Sequence, residues 1–130
     1  ELAPEVIHRT VRDVVELMLY RFSDLLRRDD ERYLKCIRHG AWGDVVRHTQ
    51  RVEAALMDIV MQYVMHNPDL LRMPSLRTVS YIIINGGVFS VVHHLSSPRP
   101  DLSFEQLVDG LAHMADSYVQ AELARAPTSS

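Results

Sequence analysis

Residues 81–95, with the sequence YIIINGGVFSVVHHL, constrain the fold more than any other stretch of the chain. Asn85-Gly86 stands between two apolar, β-branched runs, a pattern that strongly favours a β-hairpin. A helix would have to include Gly86 and Gly87 side by side, at a cost of about 1 kcal/mol each relative to alanine. If this stretch is helical, some interaction must offset that cost, and that interaction bears on function.

The spacing of the residues favours the helix. One stripe, with 4-3-4-3-4 spacing, consists of Leu76, Ser80, Ile83, Gly87, Ser90 and His94. A hairpin would have no third strand elsewhere in the sequence, and an isolated two-stranded ribbon is marginal in water. The sequence therefore predicts a helix over residues 74–97 that is apolar, and so buried, nearly all round.

The rest of the chain also has helical signals. Amphipathic spacing extends over residues 4–28 and 44–66, a short helix is predicted over 30–39, and residues 69–73 are expected to form a loop. Ser103-Phe-Glu-Gln106 has the capping-box pattern and begins the last helix. We predict an all-α fold of about five helices, with residues 1–126 as one helical domain and 127–130 as a flexible tail.

Composition excludes several function classes. The net charge is −3, so this chain by itself has no positive field for nucleic acid. The single Cys36 cannot form an internal disulfide, which favours the reducing cytoplasm. No apolar run reaches the ~20 residues that span a bilayer, so we expect a cytoplasmic protein without a membrane partner.

The seven histidines do not form a recognisable metal site, because none pair at His-x-x-x-His spacing. No glycine-rich phosphate loop or nucleophile elbow is present in the sequence. We therefore expect no enzyme activity, no metal and no cofactor. Lys35, Arg38 and His39 could lower the pKa of the Cys36 thiol and make it a sensor, although a quiet, half-buried thiol is the default interpretation.

The last two predicted helices have more apolar surface than the others can cover. Small residues recur in both at three- and four-residue steps, and such positions let helix axes approach closely. A second copy of the chain would supply the cover, as a four-helix bundle across a two-fold axis. The predicted interface consists of Ile83, Gly87, Ser90, Val91, His94, Leu107, Gly110, Met114, Ser117, Tyr118 and Ala121. The alternative is an internal kink at Gly86 and Gly87 that has no partner.

The order of helices, and above all the segments MPSLRTVSYIIINGGVFSVVHHLSSP and DLSFEQLVDGLAHMADSYV, resemble the C-terminal ligand-binding and dimerisation domain of TetR-family transcriptional regulators. The resemblance covers roughly residues 6–119. It implies a homodimeric repressor domain that binds a small, mostly apolar effector and thereby releases operator DNA. DNA would be contacted only through an N-terminal helix-turn-helix domain that this chain does not contain.

The resemblance implies a pocket between the helices predicted at 4–28, 44–66 and 74–97, with aromatic and aliphatic walls and a few polar anchors. The candidates are Phe22, Trp42, Leu56, Ile59, Tyr81, Asn85 and Phe89. Asn85 could instead bond to a backbone group or across the dimer, and Trp42 could pack in the core. Met57 and Met61 could shape an adaptable pocket, although core filling is the simpler interpretation.

A second hypothesis comes from a different functional class. The apolar helix at 74–97 could dock another protein, so that the chain is a helical interaction module without a small-molecule ligand. The regulator hypothesis predicts an enclosed pocket, whereas the interaction hypothesis predicts a flatter apolar groove.

Overall fold

The computed structural model describes residues 9–29 and 42–126. Within these ranges the chain forms four α-helices and no strand, which confirms the all-α prediction. The helices are α1 (Val11–Asp29), α2 (Trp42–Met65), α3 (Leu76–Ser96) and α4 (Phe104–Arg125), with a 3₁₀-helix at Pro68–Arg72. The predicted helix at 30–39, Cys36, the tail and the Trp42 side chain lie outside the described residues.

Helix ends follow local capping. Ser103 Oγ accepts a hydrogen bond from the Gln106 backbone N–H at 3.1 Å, and Gln106 Oε1 accepts one from the Ser103 N–H at 2.9 Å. This pair confirms the predicted capping box. The first described helix begins at Val11 and not at the predicted Pro4, because Thr10 Oγ1 accepts from the Asp13 N–H at 3.2 Å and caps it there.

The connection between α2 and α3 is more ordered than the predicted loop at 69–73. Pro68 begins a 3₁₀-helix, where the missing N–H of a proline is tolerated. α3 then begins at Leu76 with Ser75 as its N-cap, two residues after the predicted start at Pro74. Leu70 and Met73 turn inward from this segment and are 9% and 4% exposed.

The core consists of two apolar clusters that share α1. The first lies among α1, α3 and α4 and contains Val15, Leu19, Phe22, Ile84, Val88, Val91, Phe104, Val108, Ala112 and Ala115. The second joins α1 to α2, the 3₁₀-helix and parts of α3 and α4, and contains Val14, Met18, Tyr63, Val64, Leu70, Met73, Val79 and Val119. α3 and α4 also contribute residues to both clusters, so a change in one cluster can reach the other through any of these three helices.

The packing of α3 on α1 explains one of the two glycines of α3, Gly87. A Cβ atom at Gly87 would lie 3.2 Å from Leu19 Cδ2 of α1, closer than ordinary van der Waals contact. The missing side chain lets α3 pack closely on α1, and that packing offsets the loss of helix propensity.

The expectation that no segment could span a bilayer needs correction. α3 is, within the described residues, long and apolar enough to cross a membrane, with a mean hydropathy of 1.3 and a third of the window buried. The helix nevertheless packs on α1, α2 and α4, and its buried residues include Val79, Ile84 and Val88. Its apolar character is used at least in part for the core of this domain.

Candidate functional site

α3 is not buried nearly all round within one protomer. Tyr81, Ile82 and Phe89 are 63%, 47% and 72% exposed. Beside this surface, Met114 of α4 is 60% exposed. Large apolar side chains on two adjacent helices therefore face outward together, which is unusual for the surface of a monomer.

A groove of about 280 Å³ separates α3 from α4 on this side of the molecule. Its floor includes Val15 and Leu19 of α1, and Ile82, Gly86 and Met114 lie along its walls. We define the α3/α4 face by the exposed residues Ile82, Gly86, Phe89, Gly110, Met114, Ser117 and Ala121. None of these residues is ionisable, and the nearest ionisable ring is that of the exposed His93, which stacks on Phe89 at the edge of the face.

Gly86 and Gly110 are not explained by the fold of the protomer. A Cβ atom added at either position would meet nothing within 4 Å, in contrast to Gly87. Each glycine in a helix interior costs about 1 kcal/mol relative to alanine. Close approach from outside the protomer would account for both, because both lie on the α3/α4 face.

The predicted dimer residues divide between this face and the interior. Gly110, Met114, Ser117 and Ala121 lie on the face, and Leu107 and Tyr118 are half-buried at its edge. Gly87 and Val91 are buried within the protomer, and Ile83, Ser90 and His94 are partly buried. On this side of α3 the exposed positions are Ile82, Gly86, Phe89 and His93, each one residue before its predicted counterpart.

The described members of the predicted pocket are divided between the core and the outer side of α3. Phe22 is 2% exposed in the first cluster, and Leu56 and Ile59 are half-buried against the core. Tyr81, Asn85 and Phe89 lie instead at four-residue steps on the outer side of α3. Asn85 Nδ2 donates to the Tyr81 carbonyl oxygen at 2.9 Å, which is the backbone bond considered as its alternative. Met57 packs against the first cluster, and Met61 is 42% exposed.

A separate apolar cavity of about 60 Å³ lies between α1, α2, the 3₁₀-helix and α3. Its walls include Met18, Val60, Tyr63, Leu70, Met73 and Ser80. None of the pocket candidates whose side chains the structure describes lines it, although it lies among the three helices between which the resemblance places the pocket. The missed residues are mostly ordinary core types, and the only local signal was the pair of prolines that bracket Leu70 and Met73.

Tyr63 closes one side of this cavity and donates its hydroxyl hydrogen bond to the backbone carbonyl of Arg9. Burial raises the pKa of the Tyr63 phenol above its ordinary value of 10.0, and the negative charges of Asp116 and Asp13 raise it further. The phenol therefore keeps its proton in the folded chain at pH values where the unfolded chain has lost it.

We expect Tyr63 to make the fold sensitive to alkali. Its stabilising contribution is complete below about pH 10 and is lost as the pH rises through the higher folded-state pKa, because the unfolded chain then binds fewer protons. Urea denaturation between pH 9 and 11 should show a smaller alkaline loss in Tyr63→Phe than in the wild type. The control Tyr118→Phe should keep the wild-type loss, and an equal loss in Tyr63→Phe would contradict the assignment.

The described residues contain no group of three or more His, Cys, Asp or Glu side chains that could hold a metal ion. Comparison of the chain with protein-family models, with curated proteins and with solved structures finds no match. The α3/α4 face and the cavity are therefore the features of the described residues that bear on function.

Proposed function

We propose that this chain is the effector-binding and dimerisation domain of a TetR-like transcriptional repressor. Two copies would pair through the α3/α4 face as a four-helix bundle, and residues 30–39 would add a short fifth helix to each. A small, mostly apolar effector would bind within the helical domain. Operator DNA would be contacted by an N-terminal helix-turn-helix domain outside these 130 residues.

The observation that carries the proposal is the position of Gly86 and Gly110 on an uncharged surface. Two copies related by a two-fold axis present the same patch to each other, so an uncharged face is complementary to itself. Phe89 stands one helical turn from Gly86, and the groove beside Gly86 has room for a side chain of a partner. Small residues beside large ones are what close helix packing across a bundle requires.

The two-cluster core suggests how an effector could act. Leu19 of α1 lies beneath Gly87 and also forms part of the groove floor, while Met18 on the same helix lines the cavity. A ligand that displaces α1 at the cavity would therefore alter the floor of the α3/α4 groove. The effector would favour one of two dimer arrangements in proportion to its difference in affinity for them.

A helical interaction module is the second candidate. It is favoured by the small volume of the cavity, about 60 Å³, since sites for drug-sized ligands usually measure about 300–1,000 Å³. In this case the α3/α4 face would bind a different protein. The two functions differ in the oligomeric state of the purified chain, because only the first requires association with itself.

Sedimentation equilibrium of the wild type and Gly86→Ala tests the dimer. We expect Gly86→Ala to stabilise the protomer by up to about 1 kcal/mol through helix propensity. The same change should weaken dimerisation about tenfold, because the added methyl group separates the two faces. Gln120→Ala, at an exposed position of α4 off the face, should leave association unchanged. A wild-type monomer at micromolar concentration, or equal association of Gly86→Ala, would contradict the proposal.

A further inference from the structure

We propose that the 3₁₀-helix Pro68–Arg72 and the following Met73 form the entrance to the apolar cavity, and that the cavity takes a small, uncharged, apolar molecule. This inference rests on the proposed function, since it specifies where the effector enters and its chemical class. The cavity lies among the three helices between which the resemblance places the pocket, but none of the described candidate residues lines it.

The entrance is made by a weakly held segment. Leu70 and Met73 point inward and line the cavity, whereas Leu71 between them is 56% exposed. Backbone bonds from Leu70 N–H to the Asn67 carbonyl, at 3.0 Å, and from Met73 N–H to the Leu70 carbonyl, at 3.2 Å, hold the turn. Short 3₁₀-helices have poor hydrogen-bond geometry, and such segments open more easily than the core helices.

The lining sets the class of ligand. No charged residue lines the cavity among the described residues, and its walls are almost entirely hydrocarbon and thioether. The Tyr63 hydroxyl is already committed to the Arg9 carbonyl. A charged molecule would lose its hydration there without compensation, so the ligand must be uncharged. Met18 and Met73 are unbranched and flexible, which lets the cavity enlarge around a ligand bigger than its resting volume.

A hydrogen bond ties the entrance to α4. Ser75, the N-cap of α3, makes no side-chain capping bond and donates instead to Glu122 Oε1 at 2.8 Å. Glu122 Oε2 accepts a second bond from Arg125 at 2.9 Å. The first turn of α3 has no acidic residue, so the Glu122 carboxylate supplies the negative charge that a helix N-terminus favours. Opening of the entrance would therefore pull on α4, the helix that carries half of the α3/α4 face.

The six methionines provide probes for the test. In the full chain with ¹³C-labelled methionine methyl groups, dissolved xenon should shift the resonances of Met18 and Met73, because xenon occupies dry apolar cavities. Met65, which is 72% exposed on α2, serves as the control and should not shift. Shifts confined to Met114 in the groove, or no shift at all, would overturn the assignment. Dilution of the protein without xenon tests the dimer separately. If the chain dimerises through the α3/α4 face, the Met114 resonance should change with protein concentration.

The entrance is tested by a matched pair of serine variants. Ser75→Ala should speed hydrogen exchange of the Leu70 and Met73 amides about tenfold and speed benzene association by a similar factor, because opening of the entrance then costs less. Ser103→Ala removes the capping hydroxyl of α4 but does not touch the entrance, so it should change neither quantity. Glu122→Gln keeps a neutral acceptor and should give a smaller effect than Ser75→Ala. Equal hydrogen exchange and equal benzene association rates in Ser75→Ala and the wild type would overturn the proposed entrance.

Discussion

Replacement of Phe89 by glutamate should convert the proposed dimer into folded monomers. The Phe89 ring is 72% exposed, and its ring contact within the protomer is a stack on His93 at 6.2 Å, so the isolated protomer loses little. At the two-fold interface the same change would bury two carboxylates in place of two apolar rings, which costs several kcal/mol. We expect dimerisation to weaken more than about 100-fold, measured by sedimentation equilibrium, with unchanged helical circular dichroism.

Met65→Glu is the matched control for this experiment. Met65 is also 72% exposed, but it lies at the end of α2, away from the α3/α4 face. The same added charge at the same degree of exposure should leave dimerisation unchanged. If both variants dissociate equally, the effect comes from net charge and the α3/α4 face is not the interface.

α4 illustrates how far the sequence alone can specify a surface. Its capping box fixes the start of the helix, and polar residues such as His113 and Gln120 mark the exposed side. The small-residue positions Gly110 and Ser117 were placed at a surface seam from spacing alone, and the structure finds both exposed. In this helix polar and apolar residues recur with the helical period, so their pattern shows which side of the helix faces solvent.

The sequence of α3 does not show which side of the helix faces solvent. Its side chains are apolar in nearly every direction, so a helical wheel cannot tell the stripe that faces α1 from the stripe that faces outward. The predicted seam consequently differs by one residue, about 100° of rotation, from the exposed positions. The contact that decides the orientation, Leu19 against Gly87, joins residues far apart in the sequence.

The residues that line the cavity were missed for a related reason. Pocket candidates were chosen by residue type, which favoured aromatic side chains such as Tyr81 and Phe89 and the amide of Asn85. Apart from Tyr63 and Ser80, the cavity is lined by aliphatic and methionine side chains that converge from all four helices and the 3₁₀-helix. Local patterns predict each helix, but the gap left between them depends on how the helices pack.

Alanine substitution of Phe22 and of Tyr81 tests whether the pocket residues chosen from the sequence belong to the core or contact a ligand. Phe22 is 2% exposed and packed in the first cluster, so Phe22→Ala should lower the free energy of unfolding by about 3–5 kcal/mol, the usual cost of such a cavity. Tyr81 is 63% exposed, and its backbone carbonyl still accepts from Asn85 after substitution. Tyr81→Ala should therefore change the stability by no more than about 0.5 kcal/mol.

Urea denaturation should be measured at one fixed protein concentration, or in the Phe89→Glu background, because the stability of a dimer depends on protomer concentration. The two variants then separate two roles that the sequence could not distinguish. A Phe22→Ala protein with wild-type stability would contradict the core assignment and return Phe22 to the set of ligand contacts. A large loss at Tyr81 in the monomeric background would mean that the outer side of α3 is covered by the protomer itself, which would leave less of that surface for a second copy.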